Sequence, residues 1–336
     1  MILSSTSHLQ PTQWQRELAD AINSPSELLT ALDLLPRDLP DVDLAEPNPF
    51  PLRVPRYFAG LMRRGDAHDP LLAQVLPRRA EHLARDGFGR DPVGDLDALH
   101  DNAVLQKYGG RALAITTGAC AVHCRYCFRR HFPYAEQTLI RQWQASLRTL
   151  RGLQDVHELI LSGGDPLSLS DARLAHLLVE VGQVAQLTRL RIHTRLPVVL
   201  PSRVTADLCA LLRETRLRVV IVIHVNHPNE ITPQLGGALA QLQSAGCTLL
   251  NQSVLLKDIN DDADTLMNLS ESLFEVGVMP YYLHMLDPVA GAAHFDVDEL
   301  QARTLLRRIR AGLPGYLVPH LVREVPGAAS KVPVTP

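Results

Sequence analysis

Arg111-Ala-Leu-Ala-Ile-Thr-Thr-Gly-Ala-Cys120-Ala-Val-His-Cys124-Arg-Tyr-Cys127 joins a strand-like run, Ala112 to Thr117, directly to three closely spaced thiols. The cysteines are therefore gathered at the C-terminal end of a predicted strand. Thiolates are preferred ligands of iron–sulfur clusters, and three of them on four irons leave one iron open to bind something else. A zinc knot is the alternative, but closed zinc sites need four ligands and usually paired Cys-x2-Cys groups. His123, the nearby candidate for a fourth ligand, sits between two of the thiols, where a tight loop aims it elsewhere. The two remaining cysteines, Cys209 and Cys247, fall on apolar faces of a predicted helix and strand and read as ordinary buried thiols.

Moving C-terminally, short apolar or β-branched runs recur between longer amphipathic stretches. They begin near Ala112, His157, Leu190, Arg218, Cys247 and Pro280, so that after a first interval of 45 residues the spacings are 33, 28, 29 and 33. Such spacing predicts six repeated βα units, with a seventh strand-like piece at Tyr316 to Val322. The intervening segments carry apolar residues at helical spacing, as in Leu174, Leu177, Leu178 and Val181. Parallel strands of this kind form either a doubly wound sheet or a barrel, and the period alone does not choose.

Moving N-terminally, the first hundred residues hold 11 of the 24 prolines and break into short helix-like pieces such as Gln13 to Ile22 and Ser26 to Leu35. Between Pro36 and Pro55 the prolines recur too often for a long regular element, which predicts a segment draped over a larger body. The expected divisions are a mostly helical, proline-rich extension over 1–105, an α/β body over 106–315 and a closing segment over 316–336.

The 336 residues are 46% hydrophobic and 21% charged, which excludes a disordered or fibrous chain. A net charge of −3, from 33 basic and 36 acidic residues, advertises no nucleic-acid or anionic-membrane partner and directs attention to a small ligand. Five unevenly placed cysteines do not make a secreted disulfide framework. No signal peptide or membrane span is expected, and the chain reads as cytoplasmic.

The spacing Cys-x3-Cys-x2-Cys, with an aromatic residue before the third cysteine, resembles the radical S-adenosylmethionine (SAM) superfamily. That resemblance implies a partial (β/α)6, TIM-like barrel, a [4Fe-4S] cluster on Cys120, Cys124 and Cys127, and SAM chelated to the open iron. Leu161-Ser162-Gly163-Gly164-Asp165, after the second strand, resembles the superfamily's glycine-rich segment that contacts the methionine end of SAM. Tyr108-Gly-Gly-Arg111, Cys127-Phe-Arg129-Arg130, Thr194-Arg-Leu-Pro-Val-Val-Leu-Pro201, Asn226-His-Pro-Asn-Glu-Ile-Thr232, Asn251-Gln-Ser-Val-Leu-Leu256 and Pro280-Tyr-Tyr282 resemble, in order, the lysine 2,3-aminomutase family. The match runs from about Asp91 to the end and is nearest to the bacterial branch that prepares β-lysine for elongation factor P.

The resemblance to that family implies conversion of L-lysine to β-lysine by 2,3-migration of the amino group. It implies pyridoxal 5′-phosphate (PLP) as a second cofactor, held as a Schiff base by Lys331 with Arg111 on its phosphate. It also implies that Arg129 pairs with the substrate carboxylate while Asp287 and Glu324 hold the ε-ammonium. An electron donor and a ligase that acts on elongation factor P are the implied partners, and a homo-oligomer is compatible with it. Glu324 departs from the family's usual aspartate, Phe128 replaces a small polar residue, and the C-terminal tail of the stand-alone members is missing. Read without the family, Lys331 is a solvated tail residue, Arg111 a surface arginine, Asp287 a turn residue before Pro288, and Glu324 solvated charge beside Arg323.

Overall fold

A computed structural model of the chain describes residues 11–45, 48–99, 103–134 and 138–335. The apolar runs form β2 (Arg111–Thr117), β3 (Glu158–Gly163), β4 (Arg189–Thr194), β5 (Arg218–Ile223), β6 (Thr248–Val254) and β7 (Met279–His284). They are joined by β1 (Val104–Tyr108), β8 (His320–Arg323) and β9 (Val332–Pro333). Strand neighbours follow chain order from β1 to β9 with no reversal. A doubly wound sheet needs a point where the order reverses, whereas a sheet that always adds its next strand on the same side curls into a barrel. Strands β2 to β8 are mutually parallel, and β1 and β9 finish the two edges antiparallel. Those edges do not pair with each other, so the α/β barrel stays open.

Each crossover carries a helix whose apolar stripe packs onto the sheet. In Asp171–Gly182 the stripe is Leu174, Leu177, Leu178 and Val181, all buried. Each such side chain contributes roughly 1.5–3 kcal/mol. Side chains of Thr205, Thr232 and Asp262 accept from the N–H groups of Leu208, Leu235 and Thr265, satisfying donors that the helix starts would otherwise leave unpaired.

Some sequence expectations are corrected. The last strand-like piece does not start at Tyr316: Gly315–Leu317 is a 3-10 turn, and with Pro314 and Pro319 on either side only His320–Arg323 can join the ladder. The first two helices are shorter than their apolar pattern, spanning Gln13–Ala19 and Pro25–Ala31, and the second is followed by Asp33 at a φ of 56°.

The N-terminal segment buries Leu39, Val42, Leu52 and Val54 against the barrel, with extended bridges between Ile22 and Val54 and between Val42 and Arg78. One hydrophobic cluster runs continuously from Trp14 to Val278, and the expected division at 105/106 falls inside β1. Among the described residues no helix is long and apolar enough to cross a membrane.

Candidate active site

The C-terminal ends of the parallel strands surround a cavity of about 450 Å³, the face on which barrel enzymes place their chemistry. Every site residue singled out in the sequence lines it: Cys120, Cys124, Cys127, Arg129, Arg111, Ser162, Gly163, Gly164, Asp165, Asp287, Glu324 and Lys331.

The cysteine loop leaves β2 and is gripped from outside the barrel. The N–H of His123 donates to Arg53 O (3.0 Å) and that of Arg125 to Gln74 O (2.9 Å). The His123 ring donates through Nδ1 to Pro51 O at 2.8 Å and stacks on Phe50, which turns it away from the thiols. Arg125, fully buried, donates to Phe50 O and to Glu81, and Arg130 shares the same carboxylate at 2.6 Å. Burial, followed by Cys124, pushes the Cys127 thiol up to about 11, and burial with Cys127 and Asp165 raises Cys120 well above the ordinary thiol value. Iron loading therefore displaces protons from these groups.

The glycine-rich segment fits against this loop. Gly164 donates to Thr117 O at 2.6 Å, and a Cβ on it would lie 2.4 Å from Ala119 O, so only glycine allows the approach. The Asp165 carboxylate is buried and filled by protein donors: the Thr194 hydroxyl (2.7 Å) and the N–H groups of Leu167, Arg195 and Leu196 (3.0, 2.8 and 2.9 Å). It is spent on holding the loop after β4.

Opposite charges run along the cavity wall as a chain. Arg129 donates from Nε to Asp95 (2.6 Å) and from Nη1 to Ser162 Oγ (2.9 Å), leaving Nη2 without a partner among the described residues. Asp95 also holds Lys107 at 2.6 Å; Lys107 lies 3.4 Å from Glu324, and Glu324 accepts from Lys331 Nζ at 2.6 Å. Burial opposes ionisation of Asp95 and Glu324, but their cationic partners outweigh it and hold both below the ordinary carboxylate range. Asp287 is treated differently: one carboxylate oxygen is buried without a partner, and burial, then Glu324, pushes the group up to about 7.

The register of the last two strands explains the Glu324–Lys331 contact. Val322 faces Pro333 and Arg323 faces Val332, so the next pair across the hairpin is Glu324 and Lys331. Beyond it Val334 is buried against Leu321 and donates to its carbonyl, so Lys331 does not belong to a free tail. The hairpin of β1 and β2, closed by Gly109-Gly110, places Lys107 and Tyr108 beside Arg111, whose guanidinium lies 4.6 Å over the Tyr108 ring with no hydrogen bond or ion pair among the described residues. His193, His224 and His284 each present a buried Nε2 with no partner among the described residues; burial is the main cause that lowers all three, His224 to about 4, so they are neutral near pH 7.

Residues 114–268 match the Radical SAM superfamily. Over 322 residues the chain is 45% identical to the L-lysine 2,3-aminomutase of Escherichia coli (strain K12), covering 96% of this chain and 94% of that protein. It is 45% identical over 319 residues to the enzyme of the same name from Haemophilus influenzae, covering 95% and 94%, and 41% identical over 320 residues to that of Buchnera aphidicola, covering 95% and 94%. The chain belongs to the lysine 2,3-aminomutase family. The match of residues 114–268 to the Radical SAM superfamily implies a [4Fe-4S] cluster and SAM as cofactors. The residues present fit them: three thiols on one loop line the cavity, the number a four-iron cluster takes when one iron stays open to SAM.

Asp95 and Lys107 were missed in the sequence. A signal existed for Lys107, since the Gly-Gly pair between Tyr108 and Arg111 is a hairpin turn that carries the preceding residues back over β2. Asp95 lies in a stretch without regular structure, and nothing local marks it.

Proposed function

We propose that this chain is an L-lysine 2,3-aminomutase that moves the amino group of L-lysine from C2 to C3 and carries PLP on Lys331 as its second cofactor. The observation that carries the reading is the separation of charge in one cavity. Arg129 offers a spare donor on one side, the Asp95–Lys107 pair intervenes, and two acids, Asp287 and Glu324, stand beyond it. A molecule with a carboxylate at one end and an ammonium at the other fills both demands. Together the cofactors supply one-electron cleavage of a C–S bond to make a hydrogen-abstracting radical, and a π-system over which spin spreads during nitrogen migration.

The chain's own residues do the rest. Arg111, unpaired and over an aromatic face, is a ready phosphate ligand. Arg129 orients the substrate carboxylate through Nη2, because its other donors are committed to Asp95 and Ser162. Glu324 holds the Lys331 ammonium in the ligand-free chain; an amine engaged by the cofactor leaves this carboxylate free for the distal ammonium of the substrate. Asp287 completes that second pair. The three neutral imidazoles offer hydrogen-bonding atoms to a ligand without adding charge, which keeps the balance of Arg129 against the two acids intact.

The test is an anaerobic assay of protein reconstituted with iron, sulfide, SAM and PLP, with lysine, glutamate and alanine offered separately. β-Lysine forms, and alanine, which would leave both acids without a partner, is rejected. Faster conversion of glutamate than of lysine sinks the substrate assignment. We further propose that the product passes to a ligase that modifies elongation factor P, and that a one-electron donor serves the cluster; β-lysine on that factor should disappear from cells lacking this chain.

A further inference from the structure

Arg195 follows β4 and is buried, with only 6% of its side chain exposed. Its Nη1 donates to the sulfur of Cys124 at 2.8 Å and to the Tyr126 hydroxyl at 2.6 Å, while Nη2 donates to Gln74 at 2.6 Å and to Glu230 at 2.8 Å. Its backbone N–H is fixed by Asp165, and the rings of Phe58 and Tyr126 flank the guanidinium at 5.4 and 5.8 Å. Four parts of the chain thus converge to aim one planar cation at one cysteine. Glu230, fully buried, offsets the charge, but its other oxygen is taken by Gln74 and by the N–H groups of Asn226 and His227. The Tyr126 hydroxyl, held by the same Nη1, shares the sulfur, so the guanidinium is the cationic donor to it among the described residues.

A structural arginine could have been satisfied by Glu230 and Gln74 alone. The bond to a cluster cysteine has a further consequence. One-electron reduction of a [4Fe-4S] cluster adds negative charge that spreads onto its thiolates, and hydrogen bonds to the sulfurs are among the features that set such potentials. A fixed cationic donor stabilises the reduced form more than the oxidised one, and more strongly in a dry site than in water.

We propose that Arg195 sets the reduction potential of the cluster, raising it through the bond to Cys124 so that electron entry is easier. The proposal rests on the three cysteines holding a cluster. The step concerned is addition of one electron to the oxidised cluster, with dithionite as reductant in the test.

The experiment is a redox titration of anaerobically reconstituted protein without substrate, read from the electron paramagnetic resonance signal of the reduced cluster, with iron content and thermal unfolding as controls. At the native midpoint, Arg195→Gln should lower the ratio of reduced to oxidised cluster about tenfold. Arg195→Lys keeps the charge, but its single ammonium is drawn to Glu230, so the ratio should fall about threefold. A native midpoint in either iron-loaded variant overturns the proposal. Failure of both variants to load iron also overturns it, because Arg195 would then be a structural support of the loop. Absence of any cluster signal from the native protein would instead overturn the cluster assignment, which keeps the two failures apart.

Discussion

At the cysteine end of the cavity most polar groups are spent inside the protein, the buried Nε atoms of Arg130 and Arg195 being exceptions; at the lysine end, more valence is left over. Asp165 has its oxygens filled, His123 and Arg125 are bonded to the N-terminal segment, and Arg195 is held by Gln74 and Glu230. By contrast, among the described residues Arg111 has no ion partner, Asp287 keeps an orphaned oxygen and Arg129 keeps a free Nη2. A cluster loop must not move while it holds metal, and saturation gives it one conformation. A substrate site must exchange partners. In the proposed reading, the ion-paired chain Arg129–Asp95–Lys107–Glu324–Lys331 would let a ligand enter by replacing internal partners, so that these five groups are not held bare in a low-dielectric cavity.

The largest effect should come from breaking the saturated end. Alanine at Cys120, Cys124 or Cys127 should abolish iron loading and turnover, because each thiolate holds a separate iron, whereas Cys209 and Cys247, both buried among apolar groups, should be replaceable with turnover kept. Iron analysis after anaerobic reconstitution decides this, and full activity in Cys124→Ala would refute the assignment. At the other end, Lys331→Ala should remove the visible absorbance of bound PLP and turnover while the iron content stays native. Borohydride reduction and peptide mapping should mark Lys331; a label on Lys107, which shares Glu324 with it, would move the attachment point to the β1–β2 hairpin.

The two ends also differ in how far the sequence exposes them. The thiols lie in one loop, so spacing alone announces a metal-binding end, and the βα period announces the strands that carry it. The choice between open barrel and doubly wound sheet is a property of strand neighbours, which only the family resemblance or the structure supplies. Charges at the lysine end come from positions 95, 107, 111, 129, 287, 324 and 331 and meet only after folding. Glu324 and Lys331 could have been paired by recognising a hairpin, but β9 is two residues long and contains Pro333, too short to leave a pattern.

A smaller effect should follow from removing the charge of Asp287. Truncating one partner of a buried ion pair costs about 3 to 5 kcal/mol, so Asp287→Asn should lower kcat/KM for lysine by a factor on the order of a hundred or more. The native profile should show the group directly. With its carboxyl pushed up to about 7 by burial and Glu324, Asp287 is neutral below that pH and cannot pair with an ammonium. Accordingly kcat/KM should rise about tenfold per unit up to pH 7 and then level, an inflection that Asp287→Asn removes. The ligand-free protein should respond in the opposite sense. A carboxyl whose folded value lies above its ordinary value of 3.8 binds more protons folded than unfolded, so its contribution to stability declines from about pH 4 to pH 7. Thermal unfolding across that window, native against Asn, checks the sign.

Glu324→Asp should give the smallest change and most sharply tests the idea that the lysine end works by exchange. Shortening the side chain withdraws the carboxylate by about 1.5 Å, which is enough to lose the 2.6 Å contact to Lys331 while the longer approach to Lys107 is already weak. In the loaded enzyme Asp287 still meets the distal ammonium, so the loss is one charge-assisted hydrogen bond, about 1.5 kcal/mol or roughly tenfold in kcat/KM for lysine. If Glu324 passes from Lys331 to the substrate, this loss appears in KM, and the visible absorbance of PLP is unchanged because Lys331 no longer depends on Glu324 once it is engaged. Were Glu324 instead a fixed support for Lys331, the same substitution would reduce PLP occupancy and leave KM for lysine native. Titrating PLP into the variant and measuring KM at saturating cofactor separates the two, and the second outcome would remove the exchange role from Glu324 and leave Asp287 as the sole anion for the substrate.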